Sequence, residues 1–350
     1  MISNQSRTKD WLMKIREVSP GKDPILIEKM IMALTLVENL RLAGLDFIFK
    51  GGSSLILLLG TPQRFSIDID IVLPDSKNLD ECQQDVLSQG VFYRIEENKR
   101  AGDLPKQHYK FFFNSVIQEK ESHILLDILF EKNPYPRLHE VDIRSSLVAM
   151  EGETTRVLCP TRECLLGDKL TAFAPHTTGI RYGTNKELEL AKQLFDIAVL
   201  FDTVEGVNLV RTTYKNIVPK ELTYRGMNEL TPEDVLLDTF YTAVLIGTRG
   251  APSGAEYAEL LEGFRKMAAF VYSGFFSLDS AILCASKAAY LSALILKEVD
   301  PIDRFEKSLD ISSWTIANPG YNKLNKLKKT SPEAFYYFFR ALILLELNGN

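Results

Sequence analysis

Apolar residues recur at helical spacing through Ile27, Ile31, Leu34, Val37 and Leu40, and the run ends at Gly44. Asp23 followed by Pro24 supplies an N-cap and a first helical residue, so the pattern predicts one long amphipathic helix. Phe47 to Phe49 reads as a short buried strand, Gly51 and Gly52 as the break after it, and Leu55 to Leu59 as a packed helix. Ile67, Ile69 and Ile71 then alternate with Asp68 and Asp70. That period of two predicts a strand with one apolar and one acidic face. His108 to Phe113 and His123 to Phe130 predict two further strands, and in the second Asp127 faces opposite to Ile124, Leu126, Ile128 and Phe130.

From Thr161 onward the strand signal fades and helical spacing takes over, in Glu163 to Phe173, Leu188 to Phe201, Pro232 to Ile246 and Ala281 to Lys297. Thr231, Pro232 and Asp234 form a capped helix start. The expected fold is α+β, with a mixed-sheet domain over residues 1–160 and a mainly helical domain over residues 161–350. A chain of 350 residues also exceeds the roughly 250 to 300 over which a single core keeps growing.

Composition adds exclusions rather than an identity. With 45% hydrophobic and 25% charged residues the chain has the make-up of a globular protein. The opening MISNQSRTKDWLMK has no apolar secretory core, and runs such as Leu55 to Leu59 and Ala341 to Leu345 are far shorter than the roughly 18 residues of a membrane span. A cytoplasmic protein without a membrane partner is expected. Cys82, Cys159, Cys164 and Cys284 show no zinc-ligand spacing and read as reduced structural residues. A net charge of -5 argues against wholesale wrapping of nucleic acid, although a local basic patch still binds a polyanion.

The chemistry concentrates in two places. Asp68 and Asp70, one residue apart on a strand, project side by side, and their mutual repulsion is relieved by a divalent cation. Magnesium binds through one or two carboxylates plus substrate phosphates, which makes this pair a candidate ligand set; the bland alternative is the solvated face of an edge strand. Gly51, Gly52 and Ser53 form the second place, where glycines let backbone amides approach phosphate at a helix N-terminus. A Gly-Gly turn alone also serves purely backbone purposes. Arg64 either contacts phosphate or pins the turn. His108, His123, His139 and His176 show no triad or ligand spacing and read as structural or solvent-facing.

FKGGSSL at 49–55 followed by RFSIDIDI at 64–71 resembles the glycine-serine and paired-aspartate motif of the DNA polymerase beta-like nucleotidyltransferases, and more narrowly the AbiEii-type toxin family. LLGDKLTAF at 165–173 and KQLFDIAVL at 192–200 resemble that family's later segments. The resemblance spans about residues 25 to 200. It departs from the family at Gln193, where an aspartate is common, and its intervening arginine matches Arg181 only loosely.

The resemblance implies a catalytic domain over residues 1–160 that moves a nucleoside monophosphate from an NTP, with Mg2+ or Mn2+ as cofactor. It implies a third metal carboxylate on a neighbouring strand, for which Asp127 is the candidate and Glu131 the fallback. Lys169 would contact the nucleotide phosphates, and Asp196 would orient that lysine or assist the acceptor. The helical domain would complete the nucleotide site and contact the acceptor. The implied acceptor is the 3′ end of tRNA, in a toxin-antitoxin or phage-defence pair with a winged-helix antitoxin. A small-molecule nucleotidyltransferase of the aminoglycoside-modifying kind and a non-catalytic nucleotide-binding regulator are the rival readings. Lys323, Lys326, Lys328 and Lys329, beside Tyr321, form either an RNA-backbone contact or a solvated face.

Overall fold

The computed structural model of the chain describes residues 1–99, 105–251 and 253–349. The chain divides into two compact units, Met1–Thr161 with Phe270–Gly274, and Arg162–Ala269 with Phe275–Asn350.

The first unit contains α1 (Lys9–Val18), α2 (Pro24–Leu42), β1 (Ile48–Lys50), α3 (Gly51–Leu58), β2 (Ile69–Leu73), α4 (Leu79–Ser88), β3 (Arg94–Glu97), β4 (Lys106–Ser115), β5 (Lys120–Phe130), β6 (Leu138–Asp142) and β7 (Arg156–Pro160). The strands form one mixed seven-stranded sheet in the order β3-β4-β5-β2-β1-β7-β6. β2 runs parallel to β5 and antiparallel to β1, and β1 runs parallel to β7. Ile124, Leu126 and Ile128 of β5 are buried, as the alternation predicts, and β5 packs against α2.

The Asp23 side chain caps α2 by accepting from the Ile25 amide, with Pro24 as the first helical residue. The expectation of an amphipathic helix does not hold, because residues 30–40 of α2 are buried all round. Its polar residues survive burial by serving backbone donors. Glu38 accepts from the Ile2 amide at 2.9 and 3.0 Å, and Glu28 accepts from the Val116 amide at 2.7 Å. An ionised acceptor inside the protein is tolerated when such bonds replace water.

The second unit is helical: α5 (Arg162–Ala172), α6 (Glu187–Phe201), α7 (Asn208–Tyr224), α8 (Pro232–Gly247), α9 (Gly254–Phe270), α10 (Leu278–Leu296), α11 (Leu327–Thr330) and α12 (Pro332–Leu344). Thr231 and Asp234 close a reciprocal capping box on α8. α10 is the hub, packing on α6, α8 and α12, and Tyr290 stacks on Tyr337 at 5.6 Å between ring centroids. Burial of each such large side chain stabilises the fold by about 1.5 to 3 kcal/mol. Among the described residues α10 is the one helix long and apolar enough to cross a membrane, and 72% of its apolar window is buried inside the protein. All four cysteines are buried and none is in a disulfide. Burial pushes the thiol of Cys82 up to about 11 and those of Cys159 and Cys284 to about 12, so these three stay protonated and unreactive at neutral pH.

Candidate active site

The sheet aligns polar side chains in a row across four strands. Lys50 on β1 is paired with Asp70 on β2, Asp70 with Asp127 on β5, and Asp127 with His108 on β4. Directly paired residues project to the same face, so two carboxylates stand next to each other on adjacent strands about 4.8 Å apart, flanked by a lysine and a histidine. Register also separates the two candidates for the further acid. Asp127 is the partner of Asp70, whereas Glu131 lies past the end of β5, its amide bonded to the Leu73 carbonyl at the other end of β2.

Asp68 sits immediately before β2, which begins at Ile69, and its side chain is exposed while that of Asp70 is half-buried. The segment carrying it is anchored from α3. Ser53, fully buried, donates its hydroxyl to the Asp68 carbonyl and lies 3.0 Å from the Ser66 hydroxyl.

The two glycines are not a break before the helix but its first residues, because Gly51 at φ +77° turns the chain straight from β1 into α3. A left-handed φ of this kind favours glycine, and a side chain there would also collide with the Asp70 carboxylate. At Gly52 a side chain would strike the Arg64 guanidinium and the Ser66 hydroxyl. Arg64 is itself buried and donates to the Phe65 carbonyl at 2.8 Å. Glycine is therefore required at both positions by what lies against them, and the helix N-terminus they form faces Asp70.

In the helical unit, α5 and α6 bring Lys169 and Asp196 together. Lys169 Nζ is 3.0 Å from Asp196 Oδ2, with the two side chains 9% and 1% exposed. Lys169 also donates to Gln193 Oε1 at 3.0 Å, so the family-atypical glutamine still serves as an acceptor for this ammonium. The segment between the two helices, which carries Arg181, is held from α8 and α9. His176 Nδ1 lies 2.8 Å from Asp238 and Nε2 lies 3.0 Å from Glu256, and the Gly183 amide donates to Glu259 at 2.7 Å. Partial burial pulls the His176 imidazole down, but its bonds to Glu256 and Asp238 outweigh that and raise its pKa.

Of the histidines expected to be structural or solvent-facing, two are tied to acids. His108 Nδ1 is 2.6 Å from Asp127 Oδ1, and His176 bridges two acids. The alternating pattern around His108 marked a strand residue, but its partner depends on strand pairing. Lys328 is likewise engaged. It donates to the Trp314 carbonyl at 2.6 Å and lies over the Phe335 ring, whereas Lys323, Lys326 and Lys329 are exposed.

Among the described residues no three His, Cys, Asp or Glu side chains are arranged to enclose a metal ion. An oxygen-only pair such as Asp70 and Asp127 nevertheless fits magnesium or manganese, since magnesium takes one or two carboxylates and fills its octahedron with substrate phosphates and water.

Residues 36–266 match the family model described as nucleotidyl transferase AbiEii toxin, type IV TA system, and the enzyme is accordingly a nucleotidyltransferase. The chain belongs to the AbiEii family of nucleotidyltransferase toxins. Membership brings an NTP as substrate, the general use of a divalent metal, and an antitoxin as partner. Among solved structures, the chain is 15% identical to JHP933 from Helicobacter pylori, covering 85% of this chain and 96% of that one, with a TM-score of 0.45. It is 16% identical to an antigenic nucleotidyltransferase-like protein from Paracoccidioides brasiliensis, covering 58% and 92% respectively, with a TM-score of 0.36. No curated protein matches significantly.

Proposed function

We propose that this enzyme transfers a nucleoside monophosphate from an NTP to the 3′ hydroxyl of tRNA with Mg2+ or Mn2+, in the cytoplasm, under the control of a winged-helix antitoxin. One observation carries the catalytic part: Asp70 and Asp127 stand in register on adjacent parallel strands, with the glycine-led start of α3 against Asp70.

Asp70 and Asp127 would form the pre-aligned part of the cation site, with Asp68, exposed just before β2, added as a further carboxylate on binding; the bound cation would stabilise the attacking and leaving oxygens of an in-line displacement. The amides of Gly51 and Gly52, at a helix N-terminus, suit phosphate oxygens. Ser53 holds the Asp68 segment in place through its bond to the Asp68 carbonyl, and Arg64 supports the turn from beneath Gly52. An ammonium has three donors; Asp196 and Gln193 take two from Lys169, and the third is assigned to a phosphate oxygen of the NTP. Asp196 is thereby the residue that orients Lys169.

The acceptor is assigned to an exposed basic surface of the helical unit. Lys323 and Lys326 line a recess of about 400 Å³ together with Arg249, and Lys329 is exposed beside them in sequence. Replacing Lys323, Lys326 and Lys329 by glutamine is expected to flatten the log-log salt dependence of tRNA binding by roughly two units while leaving NTP binding unchanged. Lys328 is the internal control, because its charge is spent on carbonyls within the fold. Label transfer and binding across a salt series make the check. An unchanged slope removes this surface from the account, and labelling of a small hydroxylated compound in place of tRNA replaces the acceptor class.

A further inference from the structure

We infer that His108 is the positioning residue for Asp127, fixing the orientation in which that carboxylate meets the divalent cation. The inference rests on the assignment of Asp127 as a metal ligand and deepens it. His108 and Asp127 are direct partners on β4 and β5, with Nδ1 and Oδ1 2.6 Å apart and their side chains 13% and 28% exposed.

Three features distinguish this bond from an ordinary surface pair. The χ2 torsion of an aspartate is broad, so a carboxylate without an anchor samples many rotations, and a short bond to one oxygen selects one of them. A carboxylate that ligates a cation offers only lone pairs, so in that role Asp127 accepts and His108 Nδ1 is assigned as the donor. Asp127 also has a like charge as its other neighbour in the row, Asp70 on β2. A donor on the β4 side therefore holds Asp127 in place against that repulsion without adding a competing ligand. Carboxylates that bind metals depend on such outer partners, and losing one typically costs about 10- to 100-fold in metal affinity or activity.

The atom that bonds makes the inference specific. Asparagine carries its amide nitrogen where Nδ1 of histidine lies, whereas glutamine reaches towards the Nε2 position. The experiment titrates Mn2+ into the full-length protein, follows the free ion by its EPR signal, and records melting temperature, kcat and KM for NTP beside it. His108→Leu is expected to weaken Mn2+ binding by about 10- to 100-fold and to lower kcat with KM for NTP little changed. His108→Asn is expected to restore the wild-type affinity, and His108→Gln is not. Asp127→Asn, run in parallel, separates the two levels of the argument. If Asp127→Asn keeps wild-type Mn2+ affinity, the ligand assignment fails and the inference with it. If Asp127→Asn loses affinity while His108→Leu keeps it, the positioning role alone is overturned. Should His108→Leu fail to fold, the comparison of asparagine with glutamine decides: equal affinities for those two variants overturn the role of Nδ1.

Discussion

Asp70→Asn is expected to lower nucleotidyl transfer by roughly 10³-fold, the equivalent of several kcal/mol of transition-state stabilisation, while the protein melts at or slightly above the wild-type temperature. The two halves of this result have one cause. Asp70 is half-buried between Lys50 and Asp127 in the row and lies against the turn at Gly51, so it fills little core volume. Removing its charge relieves repulsion from Asp127, and like charges directly opposed across strands cost about 0.2 to 1 kcal/mol. A purely structural acid predicts the reverse pattern, with lost stability and retained turnover. Turnover assays beside melting curves distinguish the two, and near-wild-type activity from a folded Asp70→Asn protein would remove Asp70 from the centre. Asp70→Ala should lose activity as completely.

Asp196→Ala is expected to damage stability as well as activity. The residue is 1% exposed and its partner Lys169 9%, so the substitution leaves an ammonium inside the helical unit with Gln193 alone, among the described residues, to accept from it. Breaking such a pair from one side costs about 3 to 5 kcal/mol, which for a unit of this size lowers the melting temperature by roughly 10 °C. Replacing both partners with apolar residues of similar size, Lys169→Met with Asp196→Leu, should recover most of that loss because no buried charge is left over. The recovered protein should remain inactive if Lys169 holds the triphosphate. Full activity in the folded double variant would make the pair structural alone, and a wild-type melting curve for Asp196→Ala would show that the pair contributes nothing measurable.

Local periodicity made part of this legible from the sequence. Alternation around Ile67 to Ile71 marked the strand that carries Asp70, although Asp68 falls just before it, and the caps at Asp23 and Thr231 are formed by the residues that the pattern indicated. What could not be read was neighbourhood. The row from Lys50 to His108 depends on the order β4-β5-β2-β1, in which β2 sits beside β5 through a long excursion of the chain. No periodic signal specifies that pairing, so Asp127 could be put ahead of Glu131 only on alternation, and His108 could be read only as structural or solvent-facing. The Gly51-Gly52 turn was visible as a break, but its function as the first turn of α3 follows from the side chains of Asp70, Arg64 and Ser66 crowding it. Burial of α2 on every side was hidden for a related reason, since Glu28 and Glu38 look like solvent-facing residues until their backbone partners are known. β6 and β7 likewise escaped notice because LHEVD and RVLCP carry no clean alternation.

The reaction class can be tested by following the phosphorus. Each NTP, labelled in turn at the α- or the γ-phosphate, would be incubated with the full-length protein, magnesium and total tRNA, with and without a chelator. Nucleotidyl transfer moves the α-label onto the RNA, releases the γ-label as pyrophosphate, and stops when the chelator is present. Transfer of the γ-label to any acceptor, or α-label incorporation that persists undiminished in chelator, would contradict the account built on Asp68, Asp70 and Asp127.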